Sequence, residues 1–221
     1  MASHSNPLFP LPLVLFPGAP LPLHIFEPRY RELLADCREG DGRFGIILST
    51  GGPELAIRPG RVGCVAELRD VRMLADGRAN VLVEGRERFA FEGFADAPHA
   101  YHVAAIGPYE DDTDEDPLTL ATAAERVRGT FTRVANAARV IADEREPLPE
   151  LPQAPELLAF RIASLVDFER EAQQALLASR SPLGRLIAVE ALLSRVIDGI
   201  EARAAAHGRA RTNGHGPTTT G

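Results

Sequence analysis

Five prolines in an otherwise apolar stretch near the start of the chain limit its possible structure more than any other feature. Residues 8–26 read LFPLPLVLFPGAPLPLHIF. Each proline inside a helix removes a hydrogen bond and clashes with the preceding turn, at a cost of about 3 kcal/mol or more. The residues ahead of Leu8 include no arginine or lysine, although a secretion signal requires basic residues there. We therefore expect neither a signal peptide nor a membrane anchor, but extended structure in a folded domain.

The apolar residues of this stretch alternate in two places, which predicts two short strands joined by a turn at residues 16–20. The first strand contains Leu11, Leu13 and Leu15, and the second contains Leu21, Leu23 and Ile25. Pro22, His24 and Phe26 then occupy the opposite face of the second strand. Prolines confine such strands to sheet edges, strand starts or bulges.

A helix is predicted directly after these strands. Pro28 suits the first helical position. One apolar stripe follows at helical spacing, made of Tyr30, Leu33, Leu34 and Cys37. Gly40 and Gly42 then end the helix. Cys37 on this stripe is expected to be buried and unreactive.

The rest of the first half is mostly β. Strands are predicted at residues 44–48, 62–74, 79–94 and 101–106. Asp76-Gly77 is a strong hairpin signal between the second and third of these. Gly85 indicates a bulge or a close approach of another backbone segment. Several strands with short turns predict a small β-barrel with one inserted helix over residues 1–109, because closure removes exposed edges.

The second half is helical, which makes the predicted fold class α+β. Residues 110–117 are mostly acidic, and a calcium site is conceivable there, but the EF-hand spacing is absent, so a solvated linker is favoured. Four helices are predicted at residues 118–143, 156–166, 169–177 and 182–207, the last capped by Ser181 with Pro182 at its first position. These helices form a bundle subdomain over residues 118–207 or pack on the barrel. Residues 208–221 are expected to be a disordered tail.

Charge and composition exclude several classes of protein. The net charge is -7, which disfavours nonspecific nucleic-acid binding, and the chain has only two cysteines. All 24 basic residues are arginines. Because the sequence contains no lysine, its 221 residues cannot form a Walker A ATPase site, a lysine Schiff base or a serine–lysine dyad. No G-x-S-x-G motif occurs either. We expect a non-enzymatic protein in a reducing, cytoplasmic compartment, with no membrane association.

Histidines suggest two further sites, and the sequence supports neither. His99 and His102, with Asp96 nearby, could hold a metal, but residues three apart on an extended segment point to opposite faces. His24 and Cys64 could act as the base and the nucleophile of a catalytic pair, but no catalytic-cysteine motif surrounds Cys64. We therefore expect no catalytic residues, no metal and no cofactor.

Three motifs carry a family resemblance. They are Phe16-Pro-Gly18, the run PLHIFEPRY at residues 22–30, and Gly85-Arg-Glu-Arg-Phe89. Together with GRFGIIL and GCVAEL, their order resembles the N-terminal substrate-binding domain of Lon proteases over about residues 8–200. The resemblance implies a PUA-like β-barrel followed by helices. The ATPase and peptidase modules of Lon both need a lysine, so the chain resembles a stand-alone LON-domain protein.

The resemblance also implies a function, namely recognition of an unfolded polypeptide or a protein partner, possibly a separate protease. An apolar strand edge could take up an extended peptide by adding it to the sheet. The residues expected to contact this polypeptide are Phe16, Pro17, Phe26, Glu27, Arg29, Tyr30 and Arg88.

Two other functions stay open at this stage. PUA-like barrels also occur in RNA-binding proteins, and a local basic patch is conceivable in the barrel half, from Arg58, Arg61, Arg69, Arg72, Arg78, Arg86 and Arg88. The acidic net charge and the absence of a basic aromatic stripe argue against this alternative. The second open function is that of a hydrolase, whose catalytic site the sequence does not reveal.

Overall fold

The computed structural model describes residues 4–49, 56–112 and 114–213. Within them the chain forms six strands and six helices, a mixed α+β fold. The strands are β1 (His4–Leu11), β2 (Pro20–Ile25), β3 (Arg43–Leu48), β4 (Val62–Met73), β5 (Ala79–Ala95) and β6 (His102–Pro108). The helices are α1 (Pro28–Glu39), α2 (Pro117–Ala142), α3 (Pro155–Leu165), α4 (Arg170–Ala178), α5 (Pro182–Ser194) and α6 (Ile197–Asn213).

The six strands form one sheet in which β5 pairs with three other strands. The order is β2-β5-β4-β3-β1-β6, and β5 also pairs with β6. β1 and β3 are parallel, and the other pairs are antiparallel. The length of β5, 17 residues, lets its first half pair with β2 and its second half with β6. β2 keeps one edge that pairs with no strand among the described residues.

The first strand lies earlier in the chain than the leucine alternation predicted. β1 ends at Leu11, and residues 12–19 form a loop that packs Leu15 and Phe16 into the core. Both faces of β1 are covered, since Leu8 lies in a small core with Phe89 while Phe9 lies in the main core. A strand buried on both faces does not alternate in polarity. The prediction of a strand at residues 11–15 was therefore wrong, whereas β2 was placed correctly.

The predicted helix after β2 is confirmed as α1, which begins at Pro28. Its apolar stripe is buried against the sheet, and the helix ends at Glu39, where Gly40 N donates to Asp36 O. The buried stripe contains Tyr30, Leu33, Leu34 and Cys37.

The hairpin between β4 and β5 and the close approach at Gly85 are confirmed too. Gly77 has a φ of 80°, the left-handed conformation that favours glycine. Gly85 N donates to Ala19 O at 2.9 Å, and Gly18 N donates to Gly85 O at 2.8 Å. A Cβ at position 85 would overlap the carbonyl oxygen of Phe16. The motifs that contain Gly18 and Gly85 are therefore joined by a hydrogen bond between their backbones.

The helices follow the predictions except at the last one. Ser181 caps α5, because its side chain accepts a hydrogen bond from Gly184 N. The predicted helix over residues 182–207 is two helices, α5 and α6, that meet at residues 195–196. The break leaves Val196 47% exposed and buries Ile197 in its place. No helix of the described residues has both the length and the apolar character needed to cross a membrane.

The helical half packs on the sheet rather than standing apart. One continuous core contains β-strand residues together with residues of α2, α3, α4 and α5. The ring of Phe16 stacks on that of Phe160 in α3, and Gln174 Nε2 donates to Val62 O in β4. Part of the predicted tail, residues 208–213, belongs to α6, while residues 214–221 lie outside the described residues.

Candidate functional site

Three of the seven residues that the resemblance suggested as polypeptide contacts are buried. Phe16, Tyr30 and Arg88 are 1%, 4% and 6% exposed. Phe16 stacks on Phe160, and the ring of Tyr30 lies 3.9 Å from that of Phe9. These side chains are enclosed by their neighbours, so none of the three presents an open surface to a ligand in this structure.

Arg88 connects the sheet to the helices. Its Nη1 donates to the carbonyl oxygens of Leu177 and Ser179 at 2.8 and 2.6 Å, and its Nη2 donates to Asp111 at 2.5 Å. Arg185, fully buried in α5, binds the same carboxylate through both terminal nitrogens. Burial lowers the pKa of Arg88, although Asp111 opposes the shift. Asp111, which the sequence placed in a solvated linker, is thus held between two buried guanidinium groups.

Four of the suggested contacts are accessible. Phe26 is 59% exposed, and its ring stacks on His24 with centroids 6.1 Å apart. Arg29 donates to Glu27 from Nε and Nη2 at 3.0 and 2.9 Å. Pro17 is half-buried in the loop of residues 12–19. The exposed part of the expected site is therefore a phenyl ring beside a carboxylate–guanidinium pair.

The free edge of β2 lacks the donors that a full added strand needs. The carbonyl oxygen of Ala19 accepts a hydrogen bond from β5. Because backbone groups alternate in direction along a strand, the N–H and C=O groups of Leu21 and Leu23 point toward β5, and those of the even-numbered residues point outward. Two of those outward residues, Pro20 and Pro22, have no N–H. A peptide beside this edge would find carbonyl acceptors but few donors, and would have to bind chiefly through side chains.

Carboxylates neutralise most of the arginines considered for a basic patch in the sheet half. Glu67 accepts from Arg86 at 2.7 Å and from Arg69 at 2.9 Å, and it contacts Arg43 at 3.3 Å. The Arg86 hydrogen bond, aided by the other guanidiniums, lowers the pKa of Glu67 to about 2. Arg78 pairs with Asp76. Of the seven arginines considered for RNA, Arg69, Arg78, Arg86 and Arg88 are thus bound to carboxylates.

A large apolar depression lies in the helical half. This helical groove, about 930 Å³, runs between α2, the end of α3, the loop after α2 and the start of α6. It has apolar walls and a rim of both charges. Its apolar residues include Phe131, Val134, Ala135, Leu148, Leu165, Val166, Val196 and Ile200, and its charged residues are Arg139, Glu144, Glu146, Asp167, Arg195 and Arg203.

A second depression lies between the proline-rich loop and the helices. This N-terminal groove, about 300 Å³, has residues 12–16 and 19–21 on one side and residues of α3 and α4 on the other. Leu13 and Val14 are its half-buried wall, and Phe16 is its floor. Asp167 lines both grooves, so they are adjacent at the short connection from α3 to α4.

The sequence did not indicate either groove. Their walls come from segments that are far apart in the chain and that meet only after the helices pack. One local signal existed, since Leu165 and Val166 end an apolar helix and are followed by Asp167-Phe168. Leu165 is 38% exposed, an apolar residue left outside the core.

The candidate nucleophile–base pair of the sequence does not form. His24 Nδ1 lies 2.7 Å from Asn80 Oδ1, while Cys64 is fully buried with its thiol directed at the carbonyl oxygen of Arg86. Burial raises the pKa of both thiols, that of Cys37 to about 12. Both cysteines are therefore thiols at neutral pH. His99 does not face His102 and Asp96 but lies against Glu32 and Asp36 of α1.

Comparison with known proteins gives one family. A family model described as the ATP-dependent protease La (LON) substrate-binding domain matches residues 5–195. The Lon protease of Geobacter metallireducens is 29% identical over 134 residues, which are 61% of this chain and 16% of the relative. Lon protease 1 of Syntrophobacter fumaroxidans is 26% identical over 191 residues, 84% of this chain and 23% of the relative. The chain thus spans less than a quarter of the length of these curated relatives.

Solved structures agree with this family. A Lon N-terminal domain protein from Xanthomonas campestris is similar at a TM-score of 0.60 and 26% identity, covering 85% of this chain and 98% of that one. The N-terminal domain of a Mycobacterium avium complex Lon protease has a TM-score of 0.65 over 86% of this chain and 98% of its own. Its 18% identity supports the fold alone.

Proposed function

Because the chain belongs to the ATP-dependent protease La (LON) substrate-binding domain family, we propose that it recognises polypeptides that expose apolar segments. Family membership over residues 5–195 is the observation that carries this proposal. The helical groove supports it, since it is an open depression with apolar walls of the kind that buries a ligand's side chains, and the N-terminal groove adds a second opening in which apolar and polar side chains are mixed.

The two grooves would discriminate unfolded from folded chains. An extended polypeptide that crosses the α3–α4 connection can place one apolar side chain in each groove. A folded protein keeps such side chains in its own core. The charged rim of the helical groove carries both signs, so it would tolerate varied sequences around the apolar anchors.

The exposed residues near Phe26 extend this site along β2. Pro20 lines the N-terminal groove, and six residues of extended chain place Phe26 about 20 Å away. A bound chain that follows the free edge of β2 would meet Phe26, with Glu27 and Arg29 as polar contacts. Pro17, in the loop beside the N-terminal groove, completes the accessible set.

The closed pairing of the strands supports a small PUA-like β-barrel as the scaffold of this site. β5 pairs with β4 and with β6, so the hydrogen-bonded ring includes five strands. The inserted α1 contributes its apolar stripe to the core that the strands share, where the ring of Tyr30 lies against that of Phe9 in β1.

Cleavage of a bound polypeptide would need a module outside these 221 residues, on the same polypeptide or a separate protease. These residues contain no lysine for a Walker A motif or a serine–lysine dyad. The proposal is therefore a recognition step, which we place in the cytoplasm because the buried cysteines are unpaired thiols.

Fluorescence anisotropy at near-physiological salt tests the proposal. Three labelled ligands are compared, namely an unfolded polypeptide, the same polypeptide folded, and a structured RNA. We expect saturable binding of the unfolded chain only. Binding of RNA alone, with a steep salt dependence, would favour the RNA-binding alternative. No binding of the unfolded polypeptide would contradict the proposal.

Variants of exposed groove residues locate the site. Leu165→Ser and Val196→Ser together remove two half-exposed anchors from the helical groove and should weaken binding at least about tenfold, since buried apolar anchors dominate such contacts. Ile187→Ser is the matched control, because Ile187 is 51% exposed and lines neither groove. Equal polypeptide affinities of the double variant and the control would show that the helical groove is not part of the binding site.

A further inference from the structure

Two carboxylates and one imidazole from separate segments meet beside α1. Glu32 and Asp36 lie one turn apart on the helix, and His99 lies in the connection between β5 and β6. His99 Nδ1 is 3.5 Å from Glu32 Oε1 and 3.5 Å from Asp36 Oδ2. One donor atom from each residue lies within 4.8 Å of the others. The sequence paired His99 with His102 instead, because it could not show that α1 packs beside this connection.

These separations suit a small tetrahedral cation. Ligand atoms at 2.0–2.1 Å from a zinc ion are about 3.4 Å apart in a tetrahedron. The two separations from His99 Nδ1 are each 3.5 Å, and the carboxylate oxygens of Glu32 and Asp36 lie within 4.8 Å of each other, so an ion could bind after a small movement of the two carboxylates. We propose that Glu32, Asp36 and His99 bind a divalent first-row transition cation such as Zn²⁺.

The charges of the site agree with this proposal. Two carboxylates on one helix face repel each other, and their charge would be neutralised by one divalent ion beside a neutral imidazole. No arginine of the described residues lies within ion-pair distance of Glu32 or Asp36, although arginines pair with carboxylates throughout the sheet. Imidazole with carboxylate is a donor set that zinc, copper and nickel accept.

Neighbouring groups hold the three ligands in place. Tyr101 Oη donates to Asp36 Oδ2 at 2.8 Å, and Ala100 N donates to Glu32 Oε1 at 3.3 Å. The ring of His99 stacks on that of Tyr101, with centroids 4.6 Å apart. Outer hydrogen bonds of this kind orient metal ligands and are typical of metal sites. Three protein ligands would leave a coordination position for water or an external ligand.

Metal titration of the tag-free full chain tests the site. Isothermal titration with ZnCl₂ should give one saturable site, and Co²⁺ should give the intense visible absorption of a tetrahedral complex. His99→Gln and Asp36→Asn should each weaken binding by more than about tenfold, the lower bound for loss of an outer-shell partner. Zn²⁺ should also raise the thermal unfolding midpoint of the wild-type chain, because the ion binds only the folded site.

His24→Gln is the control, because His24 is an exposed histidine whose Nδ1 contacts an amide oxygen rather than carboxylates. It should keep wild-type zinc affinity. Asp36→Asn preserves the side-chain shape and the acceptor for Tyr101, so circular dichroism should report an intact fold. Zinc binding that survives in His99→Gln and Asp36→Asn, or that is absent from the wild-type chain, would overturn the proposal.

Discussion

Several residues of the family motifs are buried and make internal contacts. Phe16 and Tyr30 pack in the core, and Arg88 binds carbonyl groups of the helical half. The sequence identified these positions but could not separate packing from ligand contact, because an aromatic residue in a motif suits either role. Phe26 is different, since its ring is 59% exposed and stands next to the Glu27–Arg29 pair.

Glu67 gives a prediction at the residue scale. Its pKa falls from 4.5 to about 2 in the folded protein, mainly through the Arg86 hydrogen bond. At a pH between these two pKa values, Glu67 is protonated in the unfolded chain and ionised in the folded protein. The contribution of Glu67 to stability is therefore complete above pH 4.5 and is lost as the pH falls toward 2. We expect Glu67→Gln to flatten the pH dependence of the unfolding free energy in this window.

Urea unfolding over the acidic range, from about pH 2 to about pH 6, measures this effect. Glu87→Gln is the control, because Glu87 is more exposed and, within the part of the chain that the structure describes, forms an ion pair with Arg43 only. Parallel pH profiles for the wild type and Glu67→Gln would show that the ion network does not stabilise the fold.

Elements were predicted well where their pattern depends on local residues. The stripe of α1, the Asp76-Gly77 hairpin and the Ser181 cap follow from spacing and turn chemistry alone. β1 and the α5–α6 break were missed, since β1 is buried on both faces and the break depends on how Ile197 packs. The grooves were missed for the same reason, because their walls are assembled by packing of distant helices.

Gly85 gives a prediction at the element scale. An alanine Cβ there would overlap the Phe16 carbonyl, so Gly85→Ala must displace the loop of residues 12–19 from β5. We expect a loss of about 1–3 kcal/mol in the free energy of unfolding, as for other overpacked sites. Gly93→Ala, on the same strand, is the control, since a Cβ there would have no neighbouring atom within 4 Å. Chemical denaturation compares the two, and equal stability would contradict the close approach.

At the scale of the whole molecule, Asp111 joins the two halves through a buried ion cluster. Its carboxylate lies between Arg88 of β5 and Arg185 of α5, whose side chains are 4% and 0% exposed. Removing the carboxylate leaves two buried guanidinium groups without their counterion. We expect Asp111→Ala to lower the free energy of unfolding by roughly 3–5 kcal/mol.

Asp112→Ala is the control for this prediction. Asp112 pairs with Arg180 on the surface, where both side chains are about half exposed, so its loss should cost less than about 1 kcal/mol. Thermal unfolding followed by circular dichroism distinguishes the two variants. A loss for Asp111→Ala no larger than that for Asp112→Ala would show that the halves do not depend on this contact.

Hydrogen–deuterium exchange with and without an unfolded polypeptide tests the recognition proposal most directly, because it reports which surface the ligand covers. We predict slower exchange in residues 12–21, in the α3–α4 connection and at the start of α6, which line the two grooves. Exchange at the ion network of β4 and β5 should stay unchanged. Protection confined to that network, or no protection anywhere while the polypeptide is bound, would contradict recognition through the grooves.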